Sequence, residues 1–151
     1  MKNSLALLLL CIGLSACGTE QSAPTQLQLE KLQGQWVVIN YWAKWCKPCI
    51  VEIPELNRLD REFEQVTVLG VNYDGTTGEE LQQELTELGV TFPTLATDPA
   101  AQLGVPRPQV LPTTLVIDPN GKLSETLLGP QTLETLTLAT RQTITEPTNE
   151  Q

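Results

Sequence analysis

The sequence predicts an α/β fold: a mixed central sheet with a parallel β–α–β half and a C-terminal antiparallel hairpin, flanked by helices. Three observations carry this. First, the apolar run Trp36-Val37-Val38-Ile39 reads as a buried strand, after which the pattern changes period. Ile50, Ile53, Leu56, Leu59 and Phe63 recur at three- to four-residue intervals, the spacing of one helix face. Second, Val66 to Asn72 is rich in Val and Leu and reads as another strand. Asp74-Gly75 turns the chain, and Glu79 to Leu88 places Leu81, Leu85 and Leu88 on one face of a helix stopped by Gly89. Strand–helix–strand–helix alternation implies a parallel sheet with right-handed crossovers. Third, Thr113 to Ile117 and Leu123 to Leu128 are joined by Asp118-Pro119-Asn120-Gly121, a hairpin signal.

The remaining elements follow in order. Lys2, the apolar stretch Leu5 to Leu14 and the small residues before Cys17 read as a signal peptide over 1–16. Its apolar run is short for a membrane span. Leu14-Ser15-Ala16-Cys17 also resembles the lipobox of bacterial lipoproteins. That resemblance implies an acylated Cys17 as mature N-terminus; an ordinary secretory signal or a short anchor is the alternative. Residues 17–26 form the lipidated cysteine and a polar tether, whose nine residues after Cys17 reach at most ~30 Å. Such a tether keeps the active site close to its membrane. Gly18 stands where an Asp would retain a lipoprotein in the inner membrane, so a Gram-negative cell would carry this chain on its outer membrane. Residues 27–144 form one domain, with a frayed polar tail at 145–151.

Within that domain, the first helix extends from about Cys46 to Glu64 and contains Pro54, which removes one hydrogen bond and predicts a kink. Phe92 to Leu95 resembles a short element of the family identified below, and Asp98 to Leu103 reads as a brief helix. Pro106-Arg107-Pro108 stiffens the approach to Leu111-Pro112, and Leu133, Leu136 and Leu138 to Ala139 fit a closing helix. Cleavage after Ala16 removes Lys2 and no acid, leaving 8 basic against 18 acidic residues, net −10. That charge disfavours nucleic acid and anionic lipid head groups as partners.

The chemistry concentrates in Trp45-Cys46-Lys47-Pro48-Cys49, where the first strand gives way to the first helix. N–H groups in a first helical turn have no intrahelical partner and the macrodipole is positive, so a thiolate is favoured there. Cys49, three residues on, shares that face and is within disulfide reach of Cys46. A zinc site would need four N or S ligands, and the chain has no histidine and only Cys11 and Cys17 besides this pair. A purely structural disulfide would close too short a loop to constrain the unfolded chain much. A reversible dithiol–disulfide couple remains.

Asn40-Tyr41-Trp42-Ala43-Lys44-Trp45-Cys46-Lys47-Pro48-Cys49 resembles the active site of the thioredoxin superfamily, and more closely its TlpA/ResA-like branch of exported bacterial disulfide reductases. Val110 to Lys122 resembles the family's cis-proline segment and hairpin, and Glu52-Ile53-Pro54 its E-x-P pattern. The similarity runs from about Gly34 to Gly129. It implies a thioredoxin fold and a thiol–disulfide oxidoreductase that works without a cofactor. Cys46, beside Lys47, is then the more exposed, low-pKa nucleophile, and Cys49 the resolving thiol. Pro48 restricts the turn near the helix start. Pro112 is the cis-proline, Leu111 before it offers main-chain groups to an extended substrate, and Thr113 follows in support. Trp42 and Trp45 pack around the site, with plain core as the alternative for Trp42.

Asn40 is a departure, since thioredoxin itself has a buried aspartate there; Asn cannot take the proton of Cys49. Glu52 and Asp74 are the candidate substitutes. The resemblance further implies reduction of disulfides in exported proteins, apocytochromes c awaiting haem among them, with a membrane electron donor of the DsbD/CcdA type. A thiol oxidant or a peroxide reductase of the same fold is the rival within enzymes. A copper-binding metallochaperone of Sco type would want a histidine, and the chain has none.

Overall fold

The computed structural model describes residue 29 and residues 31–144. The signal peptide, Cys17, the tether to residue 26 and the tail 145–151 lie outside the described residues. Strand β1 (Trp36–Trp42) lies inside a four-stranded sheet, with β2 (Val66–Asn72) parallel on one side. On its other side β3 (Thr113–Ile117) runs antiparallel, and β4 (Leu123–Leu128) completes the hairpin as the edge strand, giving the order β2-β1-β3-β4. This is the mixed sheet expected from the sequence. The 92–95 element is a single parallel bridge from Thr94 to Gly70 on the outer side of β2.

Period-two alternation divides β1 between two environments. Val37, Ile39 and Tyr41 face a cluster with Leu69, Val71, Leu115 and Ile117, covered by Leu95 and the half-buried Leu103 and Val105 of the connecting chain. Val38 faces the opposite side, against Leu56 and Leu59 of α1 (Lys47–Glu62) and Leu133 and Leu136 of α3 (Leu133–Ala139). Of the other side chains on this side, Trp36 is half-buried on the same cluster, and Asn40 and Trp42 are fully buried and lie toward the cysteines. Gly70 of β2 is needed for close packing here: a Cβ would lie 2.8 Å from both Trp42 Nε1 and Thr94 Oγ1.

Several local expectations change in three dimensions. The buried stripe of α1 is Cys49, Glu52, Ile53, Leu56 and Leu59, and Ile50 falls on the 36 % exposed flank. Pro54 sits on the exposed side, and the helix runs on through it. In α2 (Gly78–Leu88) the buried residue is Glu84, not a leucine, because Asn72 at the end of β2 donates to its carboxylate at 2.8 Å. Leu81, Leu85 and Leu88 are only half-buried. Residues 98–103 form turns rather than a helix. Leu103 N–H reaches Pro99 and Val105 N–H reaches Ala100, and Gly104 at φ +67° then ends the coil. Leu138 points to solvent, 78 % exposed: Leu133, Leu136 and Thr137 form the inner stripe of α3, continued by the C-cap Thr140, and position 138 lies opposite it.

Candidate active site

The site lies where β1 ends and α1 begins. Cys46 is the N-cap of α1, in extended conformation, and its Sγ accepts the Cys49 N–H at 3.3 Å. Helix N-termini leave such donors free, and a sulfur that receives one is stabilised as thiolate. Cys46 and Cys49 are disulfide-bonded, with Cα atoms 5.3 Å apart. Lys47 and Pro48 fill the exposed corner between them. Cys46 is 4 % exposed and Cys49 0 %, so the expected difference in exposure is small. Both belong to an apolar cluster with Trp42 and Ala43, on which Tyr73, Leu81 and Leu111 pack. Trp42 is thus buried and packs with the cysteine pair, while Trp45 stands 63 % exposed.

The Leu111–Pro112 peptide is cis, and it brings Leu111 onto the cysteine cluster. Thr113 Oγ1 donates to Val110 O at 2.8 Å and closes this bend.

The two candidate acids have different surroundings. Asp74 lies in the exposed turn after β2 and accepts the Trp45 indole N–H at 2.9 Å. Glu52 lies one helical turn beyond Cys49 on the same buried face, 1 % exposed. Asn40 Nδ2 donates to Glu52 Oε1 at 2.7 Å and to Thr114 Oγ1 at 3.0 Å, while Gln131 N–H donates to Glu52 Oε2 at 2.8 Å. Burial pushes the Glu52 carboxyl up to about 7, against the pull of those hydrogen bonds toward the charged form. The amide of Asn40 thus holds a carboxyl group supplied by the helix.

Some neighbours carry no signal in the sequence. Gln131 contributes through its main chain, which no motif marks. Lys44 reaches Glu87 at 2.7 Å and ties the loop before the motif to α2. Tyr73 and Arg107 join the site only through the fold. Among the described residues no cluster of three His, Cys, Asp or Glu side chains has the geometry to hold a metal ion.

Residues 15–126 match the profile of the AhpC/TSA family. The chain belongs to that family. Its fold is the thioredoxin fold, as solved structures show. A DsbF homologue from Corynebacterium diphtheriae superposes with TM-score 0.64 at 29% identity, over 74% of this chain and 73% of that one. A secreted thiol-disulfide isomerase from Corynebacterium glutamicum gives TM-score 0.64 at 29% identity, over 74% and 72%. In sequence, the chain is 32% identical over 120 residues to the thiol-disulfide oxidoreductase ResA of Oceanobacillus iheyensis. That match covers 78% of this chain and 62% of the relative, so the chain spans about three fifths of that relative's length.

Proposed function

We propose that this chain is a thiol–disulfide oxidoreductase that reduces disulfides in exported proteins. The observation that carries the reading is the Cys46–Cys49 disulfide at a helix N-cap, with Leu111, the residue before the cis-proline, packed against it. In the dithiol form, the Cys46 thiolate attacks one sulfur of a substrate disulfide and releases the other as a thiolate, leaving a mixed disulfide. Cys49 then gives up its proton and attacks Cys46 Sγ, which expels the second substrate thiolate. Two electrons pass from the dithiol to the substrate, and the Cys46–Cys49 disulfide returns.

Glu52 is the acid we assign to the Cys49 proton, since a buried carboxyl near 7 can accept or return a proton at neutral pH. Asn40 orients it. Asp74 positions the Trp45 indole beside Lys47 and Pro48, and Leu111 and Thr113 frame the substrate's main chain at Pro112. Apocytochromes c are one substrate class in this reading, with a membrane dithiol donor of the DsbD/CcdA type to restore the thiols. Cys17 would hold the domain 27–144 to the outer face of a membrane through its lipid, the outer membrane in a Gram-negative cell. A short tether on that membrane would work against contact with an inner-membrane donor. No helix among the described residues is long and apolar enough to cross a bilayer.

Equilibration of the domain with glutathione and dithiothreitol buffers, followed by tryptophan fluorescence, tests this. A two-electron transition near the thioredoxin range, about −270 mV, is the expected result. A value near about −120 mV would make the protein an oxidant and reverse the direction. A transition that persists in Cys46→Ser would remove the redox reading.

A further inference from the structure

Arg107 is the most connected side chain of the segment that delivers Leu111 and Pro112. Arg107 Nε donates to Asp98 Oδ2 at 2.8 Å, and its Nη2 donates to the Tyr73 carbonyl at 2.6 Å. Its guanidinium carbon stands 3.8 Å over the Tyr73 ring. Tyr73 in turn donates its hydroxyl to Pro108 O at 3.2 Å, and its N–H is bonded to Trp42 O at 2.8 Å. Asp98 also accepts Tyr41 OH at 2.7 Å and Ala100 N–H at 2.9 Å. Arg107 therefore ties three pieces together: the turns at 98–100, the end of β2, and the strand that leads into the cysteine motif. Burial pushes the Asp98 carboxyl up, but the Ala100 N–H, Tyr41 and Arg107 outweigh it and keep the charged partner in place.

The same segment forms one wall of a groove of about 300 Å³. Val110 and Thr113 line the groove on either side of Leu111–Pro112, of which Leu111 packs on the cysteine cluster, and Leu123, Thr126 and Leu128 of β4 form the far wall. Val110 is 54 % exposed and Leu128 65 %, on an edge strand whose outer main-chain groups face no other strand among the described residues. An extended polypeptide with its cysteine at Cys46 would lay the neighbouring residues in this groove. Oxidised glutathione has no apolar residue beside its cysteine to place there.

We propose that Arg107 is a positioning residue that determines specificity. By holding Pro106 to Val110 against Tyr73 and Asp98, it keeps the groove aligned with the disulfide, so extended polypeptides with apolar residues beside the cysteine are preferred over small disulfides. This rests on the thiol–disulfide function proposed above. Arginine suits the place because its planar fork bonds two acceptors while stacking on an aromatic ring, which a lysine does not reproduce.

The test compares two substrates of the dithiol form: a short peptide with Val and Leu flanking a cysteine in mixed disulfide with glutathione, and oxidised glutathione itself. In Arg107→Ala the ratio of kcat/KM for peptide over glutathione falls about fivefold, carried by KM for the peptide. Arg107→Lys falls between the two. Leu128→Glu, at an exposed position on the far wall, lowers the same ratio and covers the case in which Arg107→Ala does not fold. Arg58→Ala, on the outer face of α1, leaves the ratio at the wild-type value. A ratio unchanged in both Arg107→Lys and Leu128→Glu overturns the inference while the function stands, and so does a loss confined to kcat. A wild-type chain that reacts with neither substrate removes the function and this inference together.

Discussion

Cys46 and Cys49 stand over the helix-covered face of the sheet, whereas the segment that leads into Leu111 and Pro112 lies along the face covered by the connecting chain. On the first side, Val38, Val68, Leu56, Leu59, Leu133 and Leu136 make a dry interface, and one buried carboxyl with its amide partner lies between it and the cysteines. On the second side, half-buried Leu103 and Val105 cover the strands, and polar side chains hold the segment in place. Asp98 and Arg107 there have side chains 29% and 43% exposed. The contrast separates two demands on the site. Thiol chemistry needs a fixed, dehydrated environment that sets proton affinities. Recognition of an extended chain needs a surface, and surfaces are held by weaker, solvent-screened contacts.

Four changes break or sharpen that comparison, beginning with the largest effect. Cys46→Ser abolishes disulfide exchange, while Cys49→Ser forms a mixed disulfide with substrate and retains it; non-reducing electrophoresis reads both. An active Cys46→Ser protein would reverse the assigned roles. Next, Leu56→Ala should destabilise by about 3 kcal/mol and Val105→Ala by less than about 1 kcal/mol, because only the first opens a cavity among fully buried neighbours. Urea unfolding checks the pair, and equal losses would mean that both faces are equally dense.

Third is the pH dependence. Glu52 has its carboxyl raised from the ordinary 4.5 to about 7, so the folded protein binds this proton more tightly than the unfolded chain does. Its contribution is complete below about 4.5 and is lost as pH rises through about 7. That shift corresponds to about 3 kcal/mol across the window. Stability curves of wild type and Glu52→Gln should diverge over this pH range, and parallel curves would place the titration elsewhere. The rate of Cys49-dependent release should change its pH profile in the same variant. The smallest effect belongs to the other face. Asp98→Asn keeps an acceptor for Tyr41 and loses the ion pair with Arg107, which costs about 0.5 to 1 kcal/mol at low salt and less at high salt.

Legibility in the sequence follows the range of the contacts. The motif, its place at a helix start, the hairpin and the two central strands are all local patterns, and all were readable. The ambiguity between Glu52 and Asp74 was not local. Glu52 follows Cys49 by three residues and Asp74 stands a whole strand further on, and only the packing of α1 on β1 buries one while the turn after β2 exposes the other. Leu138 and Ile50 misled for a related reason. A helix face is wider than a list of apolar residues, and Thr137 and Glu52 took inner positions because their polar atoms found partners at Leu133 O, Asn40 and Gln131.

By itself, the sequence determined the alternation of elements, the mixed sheet, and a dithiol placed at the positive end of a helix. These depend on side-chain period and on neighbours within a few residues. The tertiary structure alone decided which carboxyl is dehydrated, that Asn40 serves to hold it, and that Arg107 joins the cis-proline segment to Tyr73 and Asp98. Each of those joins residues from separate elements, and a buried charge or a forked cation acquires its role only when the fold brings its partners within hydrogen-bond distance.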